Sequence, residues 1–468
     1  MNSFIHLVFE NVADRFPDRI AIEEDERAIS YTGLDGAYRQ LSGVLQGAGV
    51  AKGDTVCVLL PSGIEAVTAL LAIFKAGAVY LPVDTAFTRK RFAQIFRENT
   101  CRCLITNPEG KAVLLSLMET VEVPVPDLIV AEEGGWQLYT RREDRYAAWP
   151  PAPVPPVREV ALDPDDGNYI FYTSGSTGEG KAFLGCHKSL SHFIGWEIDA
   201  FGLDHTCRVS QLSQLTFDAS FRDILLPLSV GGTLCIPSAP VRNNVHRLIE
   251  WIAAKHISLI HCVPSIFKLL TRELPLSESK ADRFPDLRYI LMAGEALYNR
   301  DVRNWRDAVG DHVQLVNLYG TSETTLAKTF HRIGAVAEDP HQVIHAGQPI
   351  ANAFVIIANH NKLCRIGEIG EVYIKTPFAT KGYLHDPALN QASFVANPLT
   401  GNAEDVVFRT GDLGRYVQDR NVEIVGRLDD QVKVNGKRVE LNEISRAALG
   451  VAGVVEAIVL SVPNAHHE

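Results

Sequence analysis

From Asp54 onward the chain alternates short, unbroken apolar runs with longer helical ones: VCVLL, IEAVTALLAIFKAG, AVYLPV, RKRFAQIFREN and CLIT. A short unbroken apolar run fits a strand buried on both faces, and both faces are covered when helices cross between parallel strands. The order therefore predicts parallel strands with crossover helices. Further buried strands are predicted at YIFYT (169–173), LIHCV (259–263), YILMA (289–293) and QLVNLY (314–319), each leading into Gly, Ser or Pro. Such strand ends are where ligands collect in open parallel sheets. The stretch Trp149–Asp166 holds six prolines and reads as a connector. After Ile350 the runs become shorter and alternating (FVIIAN, GEVYIKT, VEIVG), as in an antiparallel or barrel-like piece.

Composition narrows the function. A chain of 468 residues, 46% hydrophobic and 22% charged, can bury more than one core. A formal charge of -11 argues against nucleic acid as a partner, because phosphate backbones are met by basic faces. The eight cysteines include one C-x-C, at 101 and 103, and no C-x-x-C, so they read as reduced thiols rather than zinc ligands. Met1–Phe16 carries Glu10 and Asp14 and lacks the order of a signal peptide, and the apolar stretch Ala66–Val83 is broken by Lys75 and Pro82. A cytoplasmic protein with no membrane partner is expected.

The strand YIFYT empties into SGSTGEGK, residues 174–181. Glycines let backbone N–H groups converge on an anion, hydroxyls add donors, and Lys181 adds charge, so the loop is expected to cradle phosphates. Gly175–Lys181 also fits G-x-x-x-x-G-K, but Ala182 stands where a P-loop needs Ser or Thr for magnesium. A flexible surface loop is the other reading of such a run.

Taken together with ISYTGL (29–34), FKAGAVYLPVD (74–84), FDAS (217–220), NLYGTSETT (317–325), GEIGEVYIKTPFATKGYL (367–384), FRTGDL (408–413) and GRLDDQVKVNGKRVELNEI (426–444), this loop resembles the adenylate-forming superfamily. The likeness is to the amino-acid adenylation domains of nonribosomal peptide synthetases. It implies an α/β fold: a large N-terminal core over 1–428, with two βα-type sheets and a barrel-like β subdomain, then a small, truncated α+β domain over 429–468. It also implies site roles. Asn317, Tyr319 and the turn Gly294, Glu295, Ala296 would frame adenine, with Ile424 beside them, and Asp412 and Arg427 would meet the ribose. Thr173, Ser174, Gly175, Ser176, Thr177, Gly178, Lys181, Gly320, Thr321 and Ser322 would surround the phosphates, and Glu323 would hold Mg2+. Seen alone, Tyr319, Asp412 and Arg427 read equally well as a core tyrosine, a turn-capping aspartate and a surface arginine.

The chemistry implied is attack of an amino-acid carboxylate on ATP, then transfer to the phosphopantetheine thiol of a peptidyl carrier protein after rotation at a hinge, Asp429. The resemblance places a lysine late in the small domain, and no matching motif is present, so poor adenylation by this chain alone is expected. In the substrate wall, Asp218 would grip the α-ammonium, alongside Ala219, Arg222, His261, Leu291, Ala293, Leu318, Leu326 and Ala327. Arg222 either meets a polar or acidic substrate side chain, or pairs with Asp218 or Asp223, or points outward. His261 either hydrogen-bonds the substrate or is a core imidazole. An acyl- or aryl-CoA synthetase and a non-catalytic nucleotide-binding module are the alternatives.

Overall fold

The computed structural model describes residues 4–118, 126–133, 135–142, 145–148, 156–173, 180–274 and 283–428, together with parts of 431–459. The chain divides into two compact units interleaved along the sequence. One comprises Met1–Tyr172, Ala182–Thr206 and Gln214–Ile236; the other comprises Thr173–Lys181, Cys207–Ser213 and Pro237–Glu468. The protein is mixed α/β, as the alternation of runs predicts.

In the first unit the strands Thr55–Leu59, Val79–Pro82, Cys101–Thr106 and Gly167–Thr173 pair in parallel at the centre of a sheet. The helix Ile64–Lys75 crosses between two of them and buries every residue except Glu65, which is why its sequence is apolar all round. Its last residue, Lys75, is buried and held by Glu10 at 3.0 Å and Glu159 at 2.7 Å. Asp127–Glu132 joins Cys101–Thr106 in parallel, and the sheet then turns antiparallel through Gly135–Arg142 and Arg145–Ala148. An aromatic cluster of Tyr80, Tyr169, Phe171 and Phe221 fills one side, with Phe221 5.0 Å from Tyr169 and 5.2 Å from Phe171 between ring centroids. Phe221 lies on the helix Ser220–Leu228 and so fixes that helix against the sheet.

The second unit contains the predicted strands Leu259–Cys262, Tyr289–Ala293 and Gln314–Tyr319, paired in parallel. Thr329–Arg332 and Gln348–Pro349 extend them antiparallel. Its other sheet is wholly antiparallel, built from Phe354–Asn359, Ile369–Lys375, Val406–Tyr416, Val422–Arg427 and shorter edge strands, as the alternating runs after Ile350 predict. Ala346, Val355, Ile357, Cys364, Val372 and Val422 form the apolar core beneath it. Beyond Leu428, the strands Gln431–Val434 and Lys437–Glu440 pair antiparallel.

The expected connector is described only from residue 156, and residues 156–163 carry no regular structure. The eight cysteines are free thiols. Among the described residues no helix is long and apolar enough to cross a membrane.

Candidate active site

The second unit brings together three residues that are distant in sequence. Asp412 and Arg427 face one another across the antiparallel pair Val406–Tyr416 and Val422–Arg427, where directly opposed side chains meet. Arg427 Nη1 donates to Asp412 Oδ1 at 2.5 Å, and the Tyr319 hydroxyl donates to Asp412 Oδ2 at 2.5 Å. Burial, reinforced by the Asp412 carboxylate, pushes the Tyr319 phenol well above its ordinary range, so it stays a donor. Tyr319 and Ile424 both pack on the apolar core of this unit. Of the open readings, the aspartate is therefore a buried acceptor shared by a tyrosine and an arginine, not a turn cap.

The residues expected around adenine are already tied to the scaffold. Asn317 is buried, and its amide donates to His345 O at 2.9 Å and Ile344 O at 3.3 Å. Gly294 adopts φ 97°, which frees the chain to turn at the end of Tyr289–Ala293. Glu295, however, spends its carboxylate on the helix Pro264–Arg272: it accepts from Ser265 N at 2.8 Å and Ser265 Oγ at 3.1 Å. The turn thus offers backbone rather than the Glu295 side chain.

Four residues after Tyr319, Glu323 sits fully buried in the short 3-10 turn Ser322–Thr324. Tyr383 Oη donates to Glu323 Oε1 at 2.5 Å, while Thr380 N and Oγ1 hold the Glu323 carbonyl at 2.9 and 2.8 Å. Tyr383 and Thr380 were absent from the residues expected at the site. Both lie inside the segment 367–384 that carries the resemblance, but nothing in a tyrosine's local sequence marks it as a partner of a carboxylate 60 residues away. Thr321 and Ser322 flank Glu323 with hydroxyls, so the donor set is oxygen only. One carboxylate with neighbouring hydroxyls fits Mg2+, which keeps few protein ligands and completes its shell with phosphate oxygens.

The loop is folded back tightly. A Cβ on Gly320 would lie 2.3 Å from Leu326 O and 2.6 Å from Ala327 Cα, so only glycine fits. Thr325 and Leu326 take φ 64° and 62°, an uncommon conformation for residues other than glycine, and the buried Lys328 closes the turn by donating to Thr325 O at 2.6 Å.

Of the expected phosphate loop, Thr173 and Lys181 are described, and Thr173 Oγ1 donates to Lys181 O at 3.5 Å. Ser174, Gly175, Ser176, Thr177 and Gly178 lie outside the described residues, as does the hinge position Asp429. In the second unit His261 pairs in register with Leu291, and Ala293 with Leu318, so these four share one face of the parallel strands. Asn317 and Tyr319 alternate onto the opposite face. His261 is fully buried, and Leu326 and Ala327 belong to the folded-back loop. Asp218, Ala219 and Arg222 belong to the first unit. Arg222 is 5% exposed, its Nε has no hydrogen-bond partner, and its guanidinium makes no ion pair among the described residues. It therefore neither pairs with Asp218 or Asp223 nor points outward.

The sequence profile of the AMP-binding enzyme family matches residues 9–384. Tyrocidine synthase 1 of Brevibacillus parabrevis is 30% identical over 99% of this chain, and the match spans 39% of that protein. The L-2-aminoadipate reductase large subunit of Candida glabrata is 28% identical over 94% of this chain and 35% of its own length. The chain thus spans well under half of these relatives. Among solved structures, the nonribosomal peptide synthetase FmoA3 in its alpha-methyl-L-serine-AMP bound form superposes with a TM-score of 0.78 at 26% identity, covering 91% of this chain and 45% of that one.

Proposed function

Because the chain belongs to the AMP-binding enzyme family, we propose that it activates an α-amino acid as aminoacyl-AMP and passes it to the phosphopantetheine thiol of a peptidyl carrier protein. The observation that carries this reading is Asp412, buried and gripped by Arg427 and by Tyr319, the latter four residues upstream of Glu323. Each carboxylate oxygen retains a lone-pair site for a ribose hydroxyl. Asp412 then anchors the ribose, and Glu323 faces the phosphates together with Thr173, Ser174, Lys181 and Ser322. Mg2+ held by Glu323 would neutralise charge on the phosphates.

In the first step a substrate carboxylate oxygen bonds to the α-phosphorus, the bond from that phosphorus to the bridging oxygen breaks, and pyrophosphate leaves with the electron pair. The residues contribute position and charge stabilisation rather than covalent chemistry. Tyr383 holds the Glu323 carboxylate in place, so that acid is set before the nucleotide arrives. In the second step the carrier thiolate attacks the acyl carbon and AMP departs, with Asp429 as the hinge between the two states. Asp218 takes the substrate ammonium. Acidic and small polar amino acids are the candidate substrates; one relative names 2-aminoadipate and a structural neighbour holds an alpha-methyl-L-serine adenylate.

The test is amino-acid-dependent exchange of pyrophosphate into ATP across an amino-acid panel, repeated with Asp412→Asn and Asp218→Ala. Exchange with one amino acid or a narrow set, abolished by either substitution, supports the reading. Formation of a CoA thioester from a simple acid, indifferent to Asp218→Ala, refutes it.

A further inference from the structure

We propose that Cys57 and Cys101 form an oxidation site, at which hydrogen peroxide joins the two thiols as a disulfide that ties together two strands of the first unit. Their sulfur atoms stand 2.8 Å apart, in direct contact. A disulfide bond is about 2.05 Å long, so little movement separates this contact from a bond. Cys57 lies on the strand Thr55–Leu59, and Cys101 begins its parallel neighbour Cys101–Thr106. The pairing between these strands is irregular: Thr55 stands opposite Cys101, but the next residue, Val56, stands opposite Cys103. Arg102 is the extra residue of that bulge, and its guanidinium is anchored on Ala48 O at 2.9 Å and Gly49 O at 3.3 Å. A regular register would set Cys103 opposite Cys57, whereas the bulge sets Leu104 there. The thiol that meets Cys57 is therefore that of Cys101.

Exposure separates the roles of the two. Of the eight cysteines, Cys101 is half-buried and the other seven are buried, so a small oxidant meets Cys101 first. Burial, then the neighbouring Cys101 thiol, pushes the Cys57 thiol well above its ordinary range, so Cys57 keeps its proton until Cys101 has reacted. The Cys101 sulfur attacks one oxygen of the peroxide, the O–O bond breaks, and a sulfenic acid forms as water departs. The Cys57 sulfur then attacks the Cys101 sulfur and the S–O bond breaks. The departing hydroxide takes the Cys57 proton and leaves as a second water. Two thiols have lost two hydrogens and two electrons, and one peroxide has become two waters. The bond closes a loop between residues 44 apart in the chain, which restricts the unfolded chain more than the folded one.

The experiment exposes the reduced, native protein to hydrogen peroxide, denatures it, alkylates the remaining thiols, and reads intact mass, peptide map and Tm. Two of the eight thiols are expected to resist alkylation with no oxygen gained. A crosslinked peptide pair containing Cys57 and Cys101, released by dithiothreitol, is expected in the map. The oxidised protein is expected to melt roughly 5–10 °C higher. Cys57→Ala and Cys101→Ala are each expected to abolish the crosslink, with Cys57→Ala gaining oxygen at Cys101, whereas Cys103→Ala is expected to keep it. Where a variant does not fold, the wild-type map decides alone. A crosslink between any other pair, oxygen gained at Cys101 while Cys57 still alkylates, or eight alkylated thiols after treatment overturns the proposal. So does a Tm that fails to rise on crosslinking, because the strands would then have been distorted to close the bond.

Discussion

Two buried histidines in the first unit tie the stability of this protein to pH. His6 and His187 are 3% and 2% exposed, with ring centroids 6.3 Å apart. Burial, then the Lys75 ammonium, lowers His6 from 6.5 to about 4, against a smaller opposing pull from Glu10. Burial, then His6 itself, lowers His187 from 6.5 to about 3, with Asp166 opposing and Lys52 assisting. Below pH 6.5 the unfolded chain takes up protons at both positions, and the folded chain does not until about pH 4. Their stabilisation is therefore complete above the unfolded value and is lost as pH falls toward the folded ones. Below about pH 6.5 each histidine contributes a slope of about 1.4 kcal/mol per pH unit, so acidification to about pH 5 removes about 2 kcal/mol per histidine. Urea unfolding across that range, at constant m, reads the slope directly. Glu10 and Asp166 are both lowered and titrate below the window, while Glu24, raised by burial, has the opposite sign. His6→Leu and His187→Phe are each expected to flatten the slope by one histidine's share. His6 Nδ1 and His187 Nε2 have no hydrogen-bond partner, while His187→Phe also removes the 3.4 Å hydrogen bond between Asn168 Nδ2 and His187 Nδ1. A slope that survives both substitutions refutes the argument.

Two further outcomes follow from the site. Tyr383→Phe removes the hydroxyl that holds Glu323 Oε1, and exchange is expected to fall by about 10-fold in kcat with little change in amino-acid KM, because about 1.4 kcal/mol of positioning is lost; equal activity would remove Tyr383 from the site. Gly320→Ala forces a Cβ to 2.3 Å from Leu326 O, and a loss of about 2–3 kcal/mol in urea unfolding, together with weaker ATP binding, is expected; a variant of unchanged stability would show that the folded-back loop yields freely.

The parallel strands and their crossover helices were legible because burial on both faces leaves a local signature: VCVLL, LIHCV and YILMA are apolar at every or nearly every position, and periodicity needs no knowledge of partners. Tyr319, Asp412, Glu323 and Arg427 were singled out through ordered motifs. What those residues touch was not. Tyr319 to Asp412 spans 93 positions and Glu323 to Tyr383 spans 60, and no local pattern encodes a pair so far apart. The turn Gly294, Glu295, Ala296 was read as framing the base, and the sequence did not show that the Glu295 side chain accepts from Ser265, 30 residues earlier in the chain.

By itself the sequence determined the class of fold and the family, since these follow from residue type and local order. The tertiary structure alone decided that Asp412 is shared by two donors, that Tyr383 orients Glu323, and that Arg222 is buried with no answering acid among the described residues. Such facts depend on which distant segments share space, and on how much water is left around a charge once they do.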